Sequence, residues 1–233
     1  MIPLRHTIPR HAPPLVTRGL VAANVVVFIA QLLMGPATER IIQTFGFIPV
    51  RLYDPAQFQF ALWEVCVTLV TSLFLHGGFV HLFGNMIYLW VFGGPVEDML
   101  GHWRYAAFFV ICGVMGSLTH AMLYSDSTIP SIGASGSIAG VLGAFLVMRP
   151  RARIVTLLPL VVYWALIEVR AALFLPIWFG MQFFNGFLSL SSAQGTEQVA
   201  GVAWWAHVGG FLIGAGVALA HRVSRSRRWR RVA

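Results

Sequence analysis

The chain has 233 residues, of which 58% are apolar and only 10% are charged, and its mean hydropathy is +0.75. A soluble globular domain carries about 25% charged residues, so this composition argues against a soluble enzyme, a disordered protein or a disulfide scaffold. It predicts one all-α, polytopic membrane domain. The net charge of +8 comes from sixteen Arg and no Lys; six of these Arg follow the last apolar run, which indicates a membrane-flanking tail and no nucleic-acid partner.

The first third of the chain contains one predicted span and a mixed segment. Residues 1–18, rich in Pro and Arg, are predicted to form a short cytoplasmic arm. The apolar run at 19–34 is interpreted as a retained first span, because no small-residue cleavage site follows it. Turn signals at Phe45-Gly46 and Asp54-Pro55 interrupt the segment that follows. Its apolar end, residues 62–75, is too short to span a bilayer and suits an interfacial or re-entrant element.

Five further spans are predicted after residue 78. Gly93-Gly94-Pro95 is expected to end the second span, and residues 154–170, which contain Pro159, are assigned to the membrane interface. A polar loop at 194–198 separates the last two spans. The predicted spans cover about residues 79–92, 105–124, 134–148, 171–190 and 199–220.

The distribution of Arg predicts the orientation of these six spans. An even number of spans places both termini on one side, together with fourteen of the sixteen Arg, and leaves only Arg40 and Arg51 opposite. The positive-inside rule then makes both termini cytoplasmic. Arg without Lys is typical of a GC-rich bacterial genome, which favours a bacterial inner membrane. The expected organisation is an arm at 1–18, a six-span domain at 19–221 and a basic tail at 222–233, which suits anionic lipid head groups.

Several polar side chains lie within or beside the predicted spans, where such groups are costly and are functional candidates. His81 and Asn85 are four residues apart, so that one face of the second span presents both. His76 belongs to the mouth of that span, Ser135 lies at the start of the fourth, and His207 lies in the sixth. The topology puts His76, His81, Asn85 and Ser135 at one level of the membrane, towards the non-cytoplasmic side.

Small residues recur along the fourth and sixth spans at helical spacing. Such strips let membrane helices approach closely, and a close approach would bring His207 beside Ser135. A serine and a histidine with amide and imidazole donors opposite supply the nucleophile, base and oxyanion donors of acyl transfer. The two strips are Gly133, Gly136, Gly140 and Gly143, and Ala203, His207, Gly210, Gly214 and Ala218.

Three runs of the sequence resemble the motifs of the rhomboid intramembrane serine proteases. They are, in chain order, His76-Gly-Gly-Phe-Val-His81-Leu-Phe-Gly-Asn85, Gly133-Ala-Ser135-Gly136 and Ala206-His207-Val-Gly-Gly210-Phe-Leu-Ile-Gly214. The turn Glu97-Asp-Met-Leu-Gly101-His-Trp-Arg104 resembles the loop after the second span of that family. The resemblance extends over about residues 19–221.

The resemblance implies an intramembrane serine endopeptidase in which Ser135 is the nucleophile and His207 the general base and acid. It implies an oxyanion site formed by Asn85, His81 and the backbone N–H of Ser135, and no metal or cofactor. The partners would be single-span membrane proteins in the lipid bilayer, with the fifth span at 171–190 as a lateral gate. Structural roles near the site are implied for His76, Gly133, Gly136 and Gly210.

The sequence departs from the family at one position near the serine. Members often carry a Tyr four residues after it, stacked on the catalytic imidazole, where this chain has Ala139. The sequence therefore leaves open which group orients His207.

Other interpretations of the same residues remain at this stage. Ser135 suits a helix N-cap, His207 an interhelical hydrogen bond, and His81 with Asn85 a polar pair between helices. One alternative function is a rhomboid-like protein that binds membrane helices without cleaving them. Another is a metal transporter using His76, His81 and His207, although no carboxylate within the spans completes a hard-metal site. Only the protease requires the hydroxyl of Ser135.

Overall fold

The computed structural model describes residues 1–9, 12–159, 164–191 and 202–230. Most of them form helices, joined by short turns and by two single turns of 3₁₀-helix at Gly35–Ala37 and Ser72–Phe74. The helices are α1 (Leu15–Leu33), α2 (Thr38–Phe45), α3 (Pro49–Tyr53), α4 (Leu62–Thr71), α5 (Phe79–Leu100), α6 (His102–Leu123), α7 (Ser135–Met148), α8 (Ala171–Ser191) and α9 (Trp204–Arg230).

The predicted helical membrane bundle is confirmed. Within the described residues, α1, α5, α6, α8 and α9 are long and apolar enough to cross a membrane. The fourth predicted span is α7, whose 14 residues make a helix about 21 Å long. Because the hydrocarbon core is about 30 Å thick, a helix of this length, enclosed by the longer helices, leaves at least one of its ends below the bilayer surface.

The prediction that Gly93-Gly94-Pro95 ends the second span is wrong. Helix α5 continues through these residues to Leu100, with Pro95 inside it. The glycines serve close packing: a Cβ on Gly93 would lie 2.7 Å from Tyr105 Oη of α6 and 2.8 Å from Thr17 Cγ2 of α1. Pro95 removes one backbone donor, a loss that membrane helices tolerate where neighbouring groups satisfy the backbone.

Residues assigned to the membrane interface form a β-hairpin. Strands β2 (Arg153–Pro159) and β3 (Trp164–Arg170) pair antiparallel, and the N-terminal strand β1 (Ile2–His6) adds to the outer edge of β2. The run Ile154-Val155-Thr156 is β-branched, and alternate side chains of β3 are exposed. Pro159 lies at the end of β2, where a missing backbone donor is tolerated. The predicted arm at residues 1–18 thus includes a strand.

Several predicted boundaries shift by a few residues. Helix α1 begins at Leu15 and not at 19, and α5 and α6 are separated only by Gly101, which has a φ of +81°. The turns expected at Phe45-Gly46 and Asp54-Pro55 are confirmed, because α2 ends at Phe45 and α3 at Tyr53. The predicted loop at 194–198, the start of the last span at 199 and Arg231 lie outside the described residues.

Helices α7 and α9 pack backbone against backbone, as their strips of small residues predicted. A Cβ on Gly210 would collide with the carbonyl oxygen of Gly136, and one on Gly214 with the carbonyl oxygen of Gly140. On the opposite helix, a Cβ on Gly143 would collide with the carbonyl oxygen of Phe211. The glycines therefore set the distance between these two helices.

A buried carboxylate joins α1 to the junction of α5 and α6. Glu97, which is 1% exposed, accepts hydrogen bonds from the backbone N–H of Val16 and Thr17, each at 2.8 Å. The Thr17 hydroxyl and His102 Nδ1 bind the same carboxylate, each at 2.6 Å. Since Pro14, the N-cap of α1, provides no side-chain cap, Glu97 caps α1 from another helix, and its charge suits a helix N-terminus.

Gly214→Ala is expected to lower the free energy of unfolding by about 1–3 kcal/mol, because the methyl group overpacks the contact with α7. The measurement is an SDS titration of the purified protein in detergent. Gly216→Ala is the matched control on the same helix, since a Cβ there meets nothing within 4 Å. Equal stability of the two variants would contradict the backbone contact described here.

Glu97→Ala is expected to cost about 2–3 kcal/mol, the loss of charge-assisted hydrogen bonds at a buried site. The same SDS titration measures it, with Asp98→Ala as the neighbouring control on α5. If Asp98→Ala were as destabilising as Glu97→Ala, a general need for negative charge near this junction would replace the capping explanation.

Candidate active site

The loop before α7 holds Ser135 at the first turn of that helix. Two backbone hydrogen bonds fix the loop: Ser131 N–H donates to Phe47 O at 2.7 Å, and Gly133 N–H donates to Ser72 O at 2.8 Å. Gly133 has a φ of +113°, a conformation that only glycine adopts easily. The N-cap of α7 is Ala134, so Ser135 is not the helix cap that one alternative required.

The contact between α7 and α9 brings the neighbours of Ser135 and His207 together. A Cβ on Gly136 would lie 3.5 Å from the carbonyl oxygen of Ala206. Because Gly136 follows Ser135 and Ala206 precedes His207 in the chain, the serine and the histidine start from adjacent points of the two helices.

Ser135 and His207 line one cavity of about 830 Å³ between the helices. Its walls come from the start of α5, from α7, from α8 and from the residues around the start of α9, and the lining residues described include no Asp, Glu, Lys or Arg. The polar members are His81, Asn85, Tyr88, Ser135, Gln182 and His207, and the others are glycine or apolar. A cavity of this size is typical of binding sites.

His81 and Asn85 lie beside the loop that leads to Ser135. A Cβ on Gly133 would be 2.7 Å from His81 Nε2 and 3.4 Å from Asn85 Nδ2. The first backbone N–H groups of α7, including that of Ser135, have no acceptor within the helix and give its N-terminus a partial positive charge. Two side-chain donors and a helix N-terminus therefore meet at the same edge of the cavity.

His76 lies just before the first residue of α5 and contacts the side chain of Asn85. It is 1% exposed, and its Nε2 is 2.9 Å from Asn85 Nδ2. Since an amide N–H₂ group only donates, Nε2 accepts and the ring proton sits on Nδ1, 3.3 Å from Phe74 O. Gln31 of α1 holds the backbone N–H and carbonyl of His76, each at 3.1 Å. The ring thus fixes the orientation of the Asn85 amide.

Within the described part of the chain, no hydrogen bond joins Ser135 to His207. Catalytic hydrogen bonds in ligand-free enzymes are often long and shorten when the substrate binds. The bond that His207 does make runs from its Nδ1 to Gln182 Oε1 of α8, at 2.9 Å. Gln182 and the neighbouring Trp178 were not predicted as site residues. They lie in an aromatic-rich span, whose side chains are expected to face the lipid or the membrane interface.

The histidines do not form a metal centre in the described part of the chain. No three His, Cys, Asp or Glu side chains converge there as ligands for an ion. The rings of His76 and His81 are 5.1 Å apart, but Nε2 of His76 is occupied by Asn85. The metal-transporter alternative therefore finds no ligand cluster among these described residues.

Comparison with protein families gives one domain match. The family model of the Rhomboid domain matches residues 61–223, which include all the polar residues of the cavity.

Relatives from bacteria and plants share parts of the chain. Rhomboid protease GlpG of Salmonella paratyphi A is 25% identical over 230 residues, which cover 97% of this chain and 70% of that protein. RHOMBOID-like protein 5 of Arabidopsis thaliana is 36% identical over 115 residues, 49% of this chain and 34% of its own length. Rhomboid protease GluP of Bacillus subtilis is 41% identical over 78 residues, 34% of this chain and 15% of its own length. The chain thus spans a minor part of the last two relatives.

Gly133→Ala is expected to displace the His81 ring and strain the loop before Ser135, because the new methyl group would lie 2.7 Å from His81 Nε2 at a positive φ. Labelling by a serine-reactive fluorophosphonate should fall by at least about 10-fold, a loss of order 1.4 kcal/mol. Gly84→Ala is the control, since Gly84 lines the same cavity and a Cβ there meets nothing within 4 Å. Equal labelling of both variants would show that the Gly133 contact is unimportant.

Proposed function

The chain belongs to the rhomboid family of intramembrane serine proteases and their relatives, and we propose that it is itself an intramembrane serine endopeptidase that cleaves transmembrane segments of membrane proteins through a Ser135–His207 dyad. The observation that carries the proposal is the single cavity between α5, α7, α8 and α9 that Ser135 and His207 share. The donors His81 and Asn85 at its edge supply what a tetrahedral intermediate needs.

The reaction follows the logic of serine hydrolases. Ser135 Oγ attacks the scissile carbonyl carbon while His207 Nε2 takes the hydroxyl proton, and the same nitrogen returns the proton to the leaving amine. Water then attacks the acyl ester, again with His207 as base, and releases the second product. The oxyanion of each tetrahedral intermediate accepts hydrogen bonds from the Ser135 N–H, Asn85 Nδ2 and His81 Nε2.

The substrate is proposed to enter sideways between α5 and α8. Helix α8 is more exposed than the two long helices beside it at the cavity: 28% of its membrane-spanning stretch is buried, against 44% for α5 and α9. Tyr88 of α5 and Trp178 of α8 meet across the gap with ring centroids 6.3 Å apart, and both line the cavity. Separation of these two rings would open the cavity towards the lipid, as entry of a single-span membrane protein requires.

The orientation proposed for the molecule follows from its Arg distribution. Both termini are placed in the cytoplasm of a bacterial cell, and the N-termini of α5 and α7 face the opposite side of the inner membrane. Water for the second half of the reaction then reaches the cavity from that opposite side. Anionic lipid head groups are the proposed partners of the basic end of α9.

The direct test is labelling of the detergent-purified protein by a fluorophosphonate, with Ser135→Ala and His207→Ala beside the wild type. Labelling of the wild type that is lost in both variants is expected, because the probe reacts only with an activated serine. An active intramembrane protease serves as positive control. If the folded wild type is not labelled, the protease proposal fails and a rhomboid-like protein that binds membrane helices without cleaving them becomes the better description.

Asn85→Ala is expected to lower turnover of a single-span membrane substrate by roughly 10²–10³-fold, the usual loss for one oxyanion donor. Gel-based cleavage in detergent or liposomes measures it, and the apparent KM should change little. Gln57→Ala, in the turn before α4 and away from the cavity lining, is the control for replacing a side-chain amide. Unchanged turnover in the Asn85 variant would remove it from the oxyanion role.

A further inference from the structure

The imidazole of His207 is held by a side chain of the neighbouring helix. Nδ1 lies 2.9 Å from Gln182 Oε1, and the two side chains are only 8% and 7% exposed. His207 belongs to α9 and Gln182 to α8, so the bond crosses between two helices. Since a carbonyl oxygen only accepts, the ring donates from Nδ1 and keeps the lone pair of Nε2 for another group.

The amide of Gln182 is itself held in one orientation. Its Nε2 donates to the carbonyl oxygen of Trp178, one turn earlier on α8, at 3.3 Å. With the amino group occupied by this bond, the oxygen is the end of the amide that faces His207. The proton position on His207 thus follows from the hydrogen bonds of Gln182 and needs no charged partner.

Two indole rings restrict the imidazole further. Trp178 of α8 and Trp204 of α9 each lie 6.1 Å from it between ring centroids, at interplanar angles of 33° and 84°. Ala139 of α7, in contrast, is buried and presents only a methyl group. In this chain the orientation of His207 therefore depends on α8 and α9.

We propose that Gln182 is a positioning residue that holds His207 as the Nδ1–H tautomer, with Nε2 free to serve as base, and that this works only while α8 is docked against α9. The proposal rests on the proposed protease function. Because α8 forms one wall of the cavity, moving it outwards to admit a substrate breaks the bond to His207. The base is then correctly oriented only after α8 has returned.

The test compares Gln182→Leu, Gln182→Glu and Asn185→Leu with the wild type in fluorophosphonate labelling, after each variant is shown to be folded by thermal unfolding in detergent. Asn185 is the matched control, an amide on the same helix that is outside the cavity lining. Gln182→Leu should lower the maximal labelling rate by about 10²-fold, less than the roughly 10⁴-fold lost when a triad histidine takes the wrong tautomer. The half-saturating probe concentration should not change.

Gln182→Glu keeps an acceptor at the same place and is expected to retain labelling. A carboxylate there stabilises the imidazolium form, so the acid limb of the pH–rate profile should move to higher pH. Among the residues that the structure describes, the other titratable groups close enough to influence His207 are His81 of α5 and His120 of α6, and both are unchanged in all three variants. A purely structural Gln182 would leave the profile where it is.

A second readout does not depend on activity. Nitrogen-15 spectra of protein labelled at histidine, with the His207 signals identified by their loss in His207→Ala, report which ring nitrogen carries the proton. The Nδ1–H form is expected in the wild type, and a shift towards Nε2–H in Gln182→Leu. Two outcomes overturn the positioning role while the protease proposal stands. One is an unchanged His207 tautomer in Gln182→Leu. The other is full labelling of Gln182→Leu together with an unshifted pH–rate profile of Gln182→Glu. A wild type that is not labelled overturns the protease proposal, and the spectra still decide the hydrogen bond.

Discussion

The contact between α7 and α9 is the constraint on which the site depends. At three points along it, the carbonyl oxygen of one helix occupies the place that a side chain of the other would need. Hydrophobic burial adds little to helix association inside a bilayer, because lipid is as apolar as the side chains, so close backbone packing provides much of the stability. The same closeness brings the start of α7, with Ser135, next to the turn of α9 that carries His207. One array of glycines thus stabilises the bundle and assembles the cavity.

Two polar groups of the cavity are each held by a neighbouring amide or imidazole side chain. Asn85 is held by His76, which is in turn fixed by Gln31 of α1, and His207 is held by Gln182. Among the described residues that line the cavity there is no Asp, Glu or Arg. An ionised carboxylate in such a low-dielectric place is costly to bury, whereas amides and neutral imidazoles orient one another at a smaller cost. In the proposed reaction, the donors around Gly133 stabilise the charge that develops on the oxyanion.

Much of this arrangement was predictable from local sequence patterns. Apolar runs located the membrane helices, the four-residue spacing of His81 and Asn85 placed them on one face, and the small-residue strips predicted the contact of α7 with α9. One pattern misled because a glycine has more than one use. Gly93 allows α1 and α6 to pack against α5 and does not end the helix. The strand that ends at Pro159 is a separate case, because a hydropathy profile does not reveal strands. The role of Gln182 could not be predicted, because its partner His207 is 25 residues away on another helix and no spacing rule connects the two.

The capping of α1 by Glu97 also has a consequence for the order in which the protein is made. The carboxylate that satisfies the backbone of Val16 and Thr17 is 81 and 80 residues further along the chain. During synthesis the donors of α1 are therefore made before their acceptor, and these hydrogen bonds form only after residue 97 has been added. Helix α1 is therefore synthesised before the residue that caps it, and a ribosome paused before residue 97 would hold α1 without its capping carboxylate.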